Sequence, residues 1–253
     1  MKVALAQIDM RLGDLEGICS RIEAQVQLAA EQGVKVLCTP SPLFGGLMPG
    51  SLIASTDYEH DLLHALGDLA GRLASTDVTC LVPAAVAYED APLFEVFLLK
   101  DGKVVPARTV MAMQRGGQGD DVWTPPIFDI CGTRVAVTFD AARDVPDLPT
   151  GCDLVVFFQV NAFDMTSAAT TSVAAVDDGH FRDLVERKSV WLACMAPVGA
   201  YDEATYTGGS FFMDDAGRVV SMAPSFEESL LVQDVQRGVT MSCVPDYALP
   251  RFN

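Results

Sequence analysis

At 253 residues, half of them apolar, the chain is long enough to bury one sizeable core. Its 34 acidic and 17 basic side chains leave a formal net charge of -17. A surface of that sign repels phosphate backbones and anionic lipid, so nucleic acid and membranes are excluded as partners.

The opening Val3–Ile8 reads as a buried strand. Asp14 is placed to cap a helix in which Ile18, Ile22, Val26 and Ala29 recur at helical spacing, and Gly33 ends it. Val34–Cys38 is the next apolar run, which completes a βαβ unit with parallel strands. A second helix is predicted over Tyr58–Leu73, with Leu62, Leu66, Leu69 and Leu73 along one side. A buried strand follows over Val78–Ala87. Phe94–Leu99 and Lys103–Val105 flank Asp101-Gly102 as a hairpin, and Ile127–Ile130 and Arg134–Phe139 make another around Gly132. Leu154–Val160 is a central strand, Phe181–Trp191 a helix and Leu192–Val198 a strand. Ser210–Met213 and Arg218–Met222 form a third hairpin, and Ser229–Val235 the last strand. Strands outnumber helices, no sequence repeat is visible, and no linker divides the chain. One domain over 1–253 is expected, with two packed sheets and helices outside.

Most motifs that carry chemistry are missing. The sequence has no GxxxxGK[ST] loop, no GxGxxG after the first strand and no GxSxG elbow. Gly45-Gly46 and Gly116-Gly117 read as ordinary loops, and Met111 and Met113 as core or pocket lining. Seven scattered cysteines (Cys19, Cys38, Cys80, Cys131, Cys152, Cys194, Cys243), odd in number and without a CxxC pair, argue against a disulfide framework and a zinc site. His60 and His64 can share a helix face and hold a metal, but no acidic or thiol partner stands out beside them. A solvated helix face is the favoured reading, and neither metal nor cofactor is expected. The apolar run at the N-terminus is too short for a signal peptide, and no stretch reaches the ~18 apolar residues of a membrane span, so a cytoplasmic location is expected.

Taken in order, several pieces of this sequence resemble the nitrilase, or carbon–nitrogen hydrolase, superfamily. Within it they are most similar to the glutaminase domains of glutamine-dependent NAD synthetases. The pieces are Val3-Ala4-Leu5-Ala6-Gln7 with Gly13-Asp14, then Asp101-Gly102-Lys103-Val104, then Asp202-Glu203 followed by Tyr206-Thr207-Gly208-Gly209-Ser210-Phe211. Asp215-Ala216-Gly217-Arg218 and Pro224-Ser225-Phe226-Glu227-Glu228 continue in step. The resemblance implies a four-layer α-β-β-α sandwich and a homo-oligomer. It also implies a C-terminal NAD synthetase domain as a partner. The chain stops at Pro250-Arg251-Phe252-Asn253, near where such a linker would begin, as an excised domain or a stand-alone relic would.

The chemistry implied by that resemblance needs a glutamate base, a lysine and a cysteine nucleophile. The matching positions hold Ser41, Arg108 and Asp140. Serine has no useful basicity near neutral pH. Arginine keeps the charge. An aspartate attacking an unactivated amide would give an anhydride with no base to help. Cys131, at the far end of the same hairpin, and Cys38, three residues before Ser41, are the displaced-nucleophile candidates, with buried packing the expected role for both. An asparagine on the substrate side is replaced near Ala196, whereas Asn161-Ala162-Phe163 is partly kept. The expected outcome is an Arg108–Asp140 ion pair in the old substrate position. Three functions follow. The first is a degenerate glutaminase-like domain with a structural or regulatory role, whose synthetase uses free ammonia. The second is an active amide hydrolase with relocated residues, and the third a small-molecule binding domain reusing the pocket.

Overall fold

The computed structural model describes residues 1–9, 11–41, 44, 56–88, 91–111, 127–139, 148, 151–159, 176, 179, 181–201 and 204–236, with the side chains of 56, 87, 88, 91–93, 108–111, 201 and 204 excepted. Sheet A holds β14 (Ser229–Asp234), β1 (Lys2–Gln7), β2 (Val36–Cys38), β3 (Thr79–Tyr88), β4 (Ala91–Lys100) and β5 (Lys103–Met111) in that spatial order. Sheet B runs β13 (Val219–Met222), β12 (Phe211–Met213), β9 (Trp191–Met195), β8 (Leu154–Phe158), β7 (Thr133–Thr138), β6 (Ile127–Ile130). A separate hairpin pairs β10 (Val198–Tyr201) with β11 (Ala204–Thr207).

Side-chain alternation sorts these strands into layers. Val3, Leu5, Val36, Cys38, Leu81 and Val96 point inward from sheet A, where they meet Val135, Val137, Leu154, Val156, Phe158 and Met195 from sheet B. The intervening residues of sheet A, among them Ala4, Ala6, Leu37 and Cys80, pack beneath helices α1 (Leu15–Glu31) and α2 (Thr56–Leu73). On the far side, Ala136, Val155, Leu192 and Cys194 pack with Phe181 and Val185 at helix α3 (Arg182–Lys188). The result is the four-layer α-β-β-α sandwich that the resemblance implied. No helix among the described residues is long and apolar enough to cross a membrane.

The local signals act as the sequence suggests. Asp14 Oδ1 accepts from Gly17 N at 2.9 Å, capping α1, and Gly33 leaves the helix with φ +73°. Both residues of the Asp101-Gly102 and Cys131-Gly132 turns have positive φ, the geometry of a two-residue hairpin loop. In the third hairpin the Asp214 carboxylate, almost fully buried, accepts from Ala216 N (3.1 Å), Arg218 N (2.9 Å) and Arg218 Nε (2.8 Å). Burial alone would raise this carboxyl. The bonds from Arg218 and Ala216 outweigh it, and the group titrates below its ordinary 3.8. A depressed folded-state value stabilises the fold above the unfolded-state value, and that contribution disappears as pH falls through the folded one. Thermal unfolding of Asp214→Asn should therefore show a weaker loss of stability than wild type as pH drops from 5 towards about 3. Parallel curves would refute this.

Three expectations need correction. The helix predicted over Phe181–Trp191 ends at Lys188, because Ser189 turns left-handed (φ +50°) and Trp191 pairs with Leu154 as the first residue of β9. The strand predicted over Leu192–Val198 is two strands: β9 ends at Met195, and Val198 opens the β10–β11 hairpin beyond Pro197. Cys131 does not pack in the core; it is exposed at the tip of the β6–β7 turn.

The two sheets share one pattern of pairing directions, although β14 reaches β1 from the far end of the sequence whereas β6 and β7 form a hairpin. Read from β14, sheet A pairs antiparallel, parallel, parallel, antiparallel, antiparallel; read from β6, sheet B does the same.

Candidate functional site

The carboxyl ends of the parallel strands converge at one end of the sandwich, the usual place for a site in such sheets. From β2 the chain passes Thr39, whose hydroxyl donates to Leu81 O at 3.3 Å, and reaches Ser41. Phe44 then bridges to Ala84, which fixes this segment against β3. Across the sandwich, Phe139 follows β7. Its ring centroid lies 5.9 Å from that of Phe94 on β4 and 5.7 Å from that of Phe158 at the end of β8. These three rings join the two sheets at the site end. Nothing in the sequence flagged them beyond ordinary strand alternation.

Arg108 lies on β5 opposite Val96, one residue past a bulge that leaves Ala107 facing the inter-sheet core. β5 also runs close to β7 across the sandwich. The structure thus brings Ser41, the Arg108 backbone and the end of β7 at Phe139 to one end of the molecule. Asp140 and the Arg108 side chain, and with them the expected ion pair, lie outside the described residues. So do Gly45-Gly46, Gly116-Gly117, Met113, Asn161, Cys243, the Asp202-Glu203 pair and the Met111 side chain.

Ser41 is completely buried, and its hydroxyl has no hydrogen-bond partner among the described residues. A buried hydroxyl left without a partner costs about 1–3 kcal/mol, and a serine hydroxyl has no useful basicity near neutral pH. Ala196 is buried and engages Ser210 through its backbone, its N donating to Ser210 Oγ at 3.0 Å.

The displaced-nucleophile candidates are badly placed for chemistry. Cys38 is fully buried among inter-sheet apolar side chains, and burial, with the neighbouring Cys80, pushes its thiol well above the ordinary 9.0. Burial likewise raises Cys19, Cys80 and Cys152. Cys131 sits before the first residue of β7, so the whole six-residue strand, roughly 20 Å, separates it from the site end. Among the described residues no group of three or more His, Cys, Asp or Glu side chains forms a metal cage.

Two sheets with the same order of parallel and antiparallel pairings, packed face to face between helical layers, define a nitrilase-type fold. No family model matches the sequence. Among solved structures, a mutant of the Nesterenkonia AN1 amidase from the nitrilase superfamily superposes with a TM-score of 0.72 at 20% identity, covering 93% of this chain and 92% of its own. The glutamine-dependent NAD+ synthetase of Acinetobacter baumannii, in complex with ADP, superposes with a TM-score of 0.68 at 18% identity over 91% of this chain and 44% of its own. In sequence, the chain is similar to the glutamine-dependent NAD(+) synthetase of Thermotoga maritima, 23% identical across 93% of this chain and 42% of that protein. The chain thus spans less than half the length of the two NAD synthetases.

Proposed function

We propose that the chain is a glutaminase-like domain that has lost amide hydrolysis and plays a structural or regulatory part beside an NAD synthetase, with any attached synthetase domain taking free ammonia. Ser41 carries this reading. At the carboxyl end of β2, where the resemblance calls for a general base, stands a buried hydroxyl with no partner among the described residues. Arg108 and Asp140, at the positions of the lysine and the nucleophile, point the same way by residue type. The contrary reading, a hydrolase with relocated residues, would need a reactive thiolate near this end. The burial of Cys38 and the remote position of Cys131 speak against it.

The test is ammonia release from L-glutamine and a small aliphatic amide, with Cys38→Ala, Cys131→Ala and Asp140→Ala as controls. Wild type is expected to match the buffer blank. Turnover that any of these substitutions abolishes would overturn the proposal. The Ser41 hydroxyl, without a partner among the described residues, favours one further role, the non-hydrolytic holding of a small polar ligand. That role predicts a rise in melting temperature with glutamine or glutamate in wild type that is lost in Ser41→Ala.

A further inference from the structure

We propose that His60 and His64 form a solvent-facing site for one borderline-soft divalent metal ion of the copper(II), nickel(II) and zinc(II) class. The residues stand four apart on α2, so their side chains rise one above the other on one helix face. The opposite face, with Leu62, Leu66 and Leu69, is sunk in the core. The two rings point to water, 80% and 69% exposed, with centroids 6.4 Å apart.

The expectation that no acidic partner accompanies these histidines needs correction: Asp61 follows His60 directly, and Asp68 stands four residues after His64 on the same helix. Asp68 Oδ2 lies 3.2 Å from His64 Nδ1, and Asp61 Oδ1 lies 3.8 Å from His60 Nδ1. A carboxylate at Nδ1 favours the tautomer with its proton there, and Nε2 is left with a free lone pair. This is the usual arrangement of a metal-binding histidine. The Asp68 contact is at hydrogen-bond distance. The Asp61 contact is longer and acts through charge alone. Both carboxylates also line the groove of about 500 Å³ between α1 and α2, together with Glu16, Glu23 and Arg72, which pairs with Glu23; with four carboxylates to one guanidinium, the local field attracts cations.

Metal–imidazole bonds of about 2.0–2.1 Å require the rings to swing closer than they now stand. Being exposed, they do so without disturbing packed neighbours. Two nitrogen donors without a closed cage leave water to complete the coordination. Imidazole selects copper, nickel or zinc over the oxygen-seeking magnesium and calcium. The bound ion would staple one turn of α2 near its start.

The experiment is calorimetric titration of the full chain with copper(II) and, separately, zinc(II), with electron paramagnetic resonance of the copper form. One equivalent should bind, and the copper spectrum should show two nitrogen donors. His60→Ala and His64→Ala should each weaken binding at least 10-fold, and Asp68→Asn about 10-fold. All three side chains are exposed, so circular dichroism should show the variants folded as wild type. Affinity unchanged in the His60→Ala/His64→Ala double variant, or a spectrum with a single nitrogen donor, overturns the site.

Discussion

Gln7→Leu should lower the free energy of unfolding by about 3–5 kcal/mol, the sum expected when several buried polar groups lose their partners at once. The Gln7 side chain is completely buried at the end of β1. Its Nε2 donates to Pro224 O (2.8 Å) and Glu227 O (2.7 Å), and its Oε1 accepts from Ser210 N at 2.9 Å and lies 2.9 Å from Ser210 Oγ. One amide thus ties the first strand to the loop before β12 and to the loop before β14. Leucine has similar volume but leaves the Ser210 N–H and two carbonyls unpaired. The clamp also explains a glycine. Gly208 has φ +71°, and a Cβ there would lie 2.5 Å from Gln7 Nε2. For a domain of this size the loss corresponds to roughly 10 °C in melting temperature, readable by calorimetry. A shift under about 2 °C would show that water replaces the amide at little cost.

The second large effect is expected at the ring cluster of the site end. Phe158 is fully buried, pairs in register with Met195 and touches Phe139, which in turn touches Phe94 of the other sheet. Truncating such a ring removes its transfer energy and opens a cavity that a two-sheet seam closes poorly. Phe158→Ala should therefore cost about 3–5 kcal/mol. Phe158→Leu should recover more than half of it, because most of the volume returns. Denaturant melts with an unchanged slope would assign the loss to the folded state. Equal losses for the two variants would mean that ring stacking, not filled volume, holds the sheets together.

Much of the fold was legible because its signals are local. The Asp14 cap, the Ile18–Ile22–Val26–Ala29 stripe and the Asp101-Gly102 turn each act over a few residues, and each survives unchanged in the structure. The errors came where local and tertiary preferences disagree. Val190 and Trp191 continue an apolar pattern that suits a helix, yet parallel pairing with β8 draws Trp191 into a strand. Cys131 looked like a core residue by composition, but a two-residue hairpin turn forces its position to the surface.

The sequence by itself determined the βαβ opening, the hairpins, the acidic surface and the identity of the residues at positions 41, 108 and 140. Residue type alone decides that Ser41 is no base, since a hydroxyl's proton affinity changes little with its surroundings on the scale that catalysis needs. Only the tertiary structure decided which strands share a sheet, that both sheets repeat one order of pairing directions, and that Ser41 is buried without a partner among the described residues. It alone set Cys38 in the apolar seam and Cys131 at the opposite end. Burial, pairing and proximity are sums over residues distant along the chain, and no window of sequence contains them.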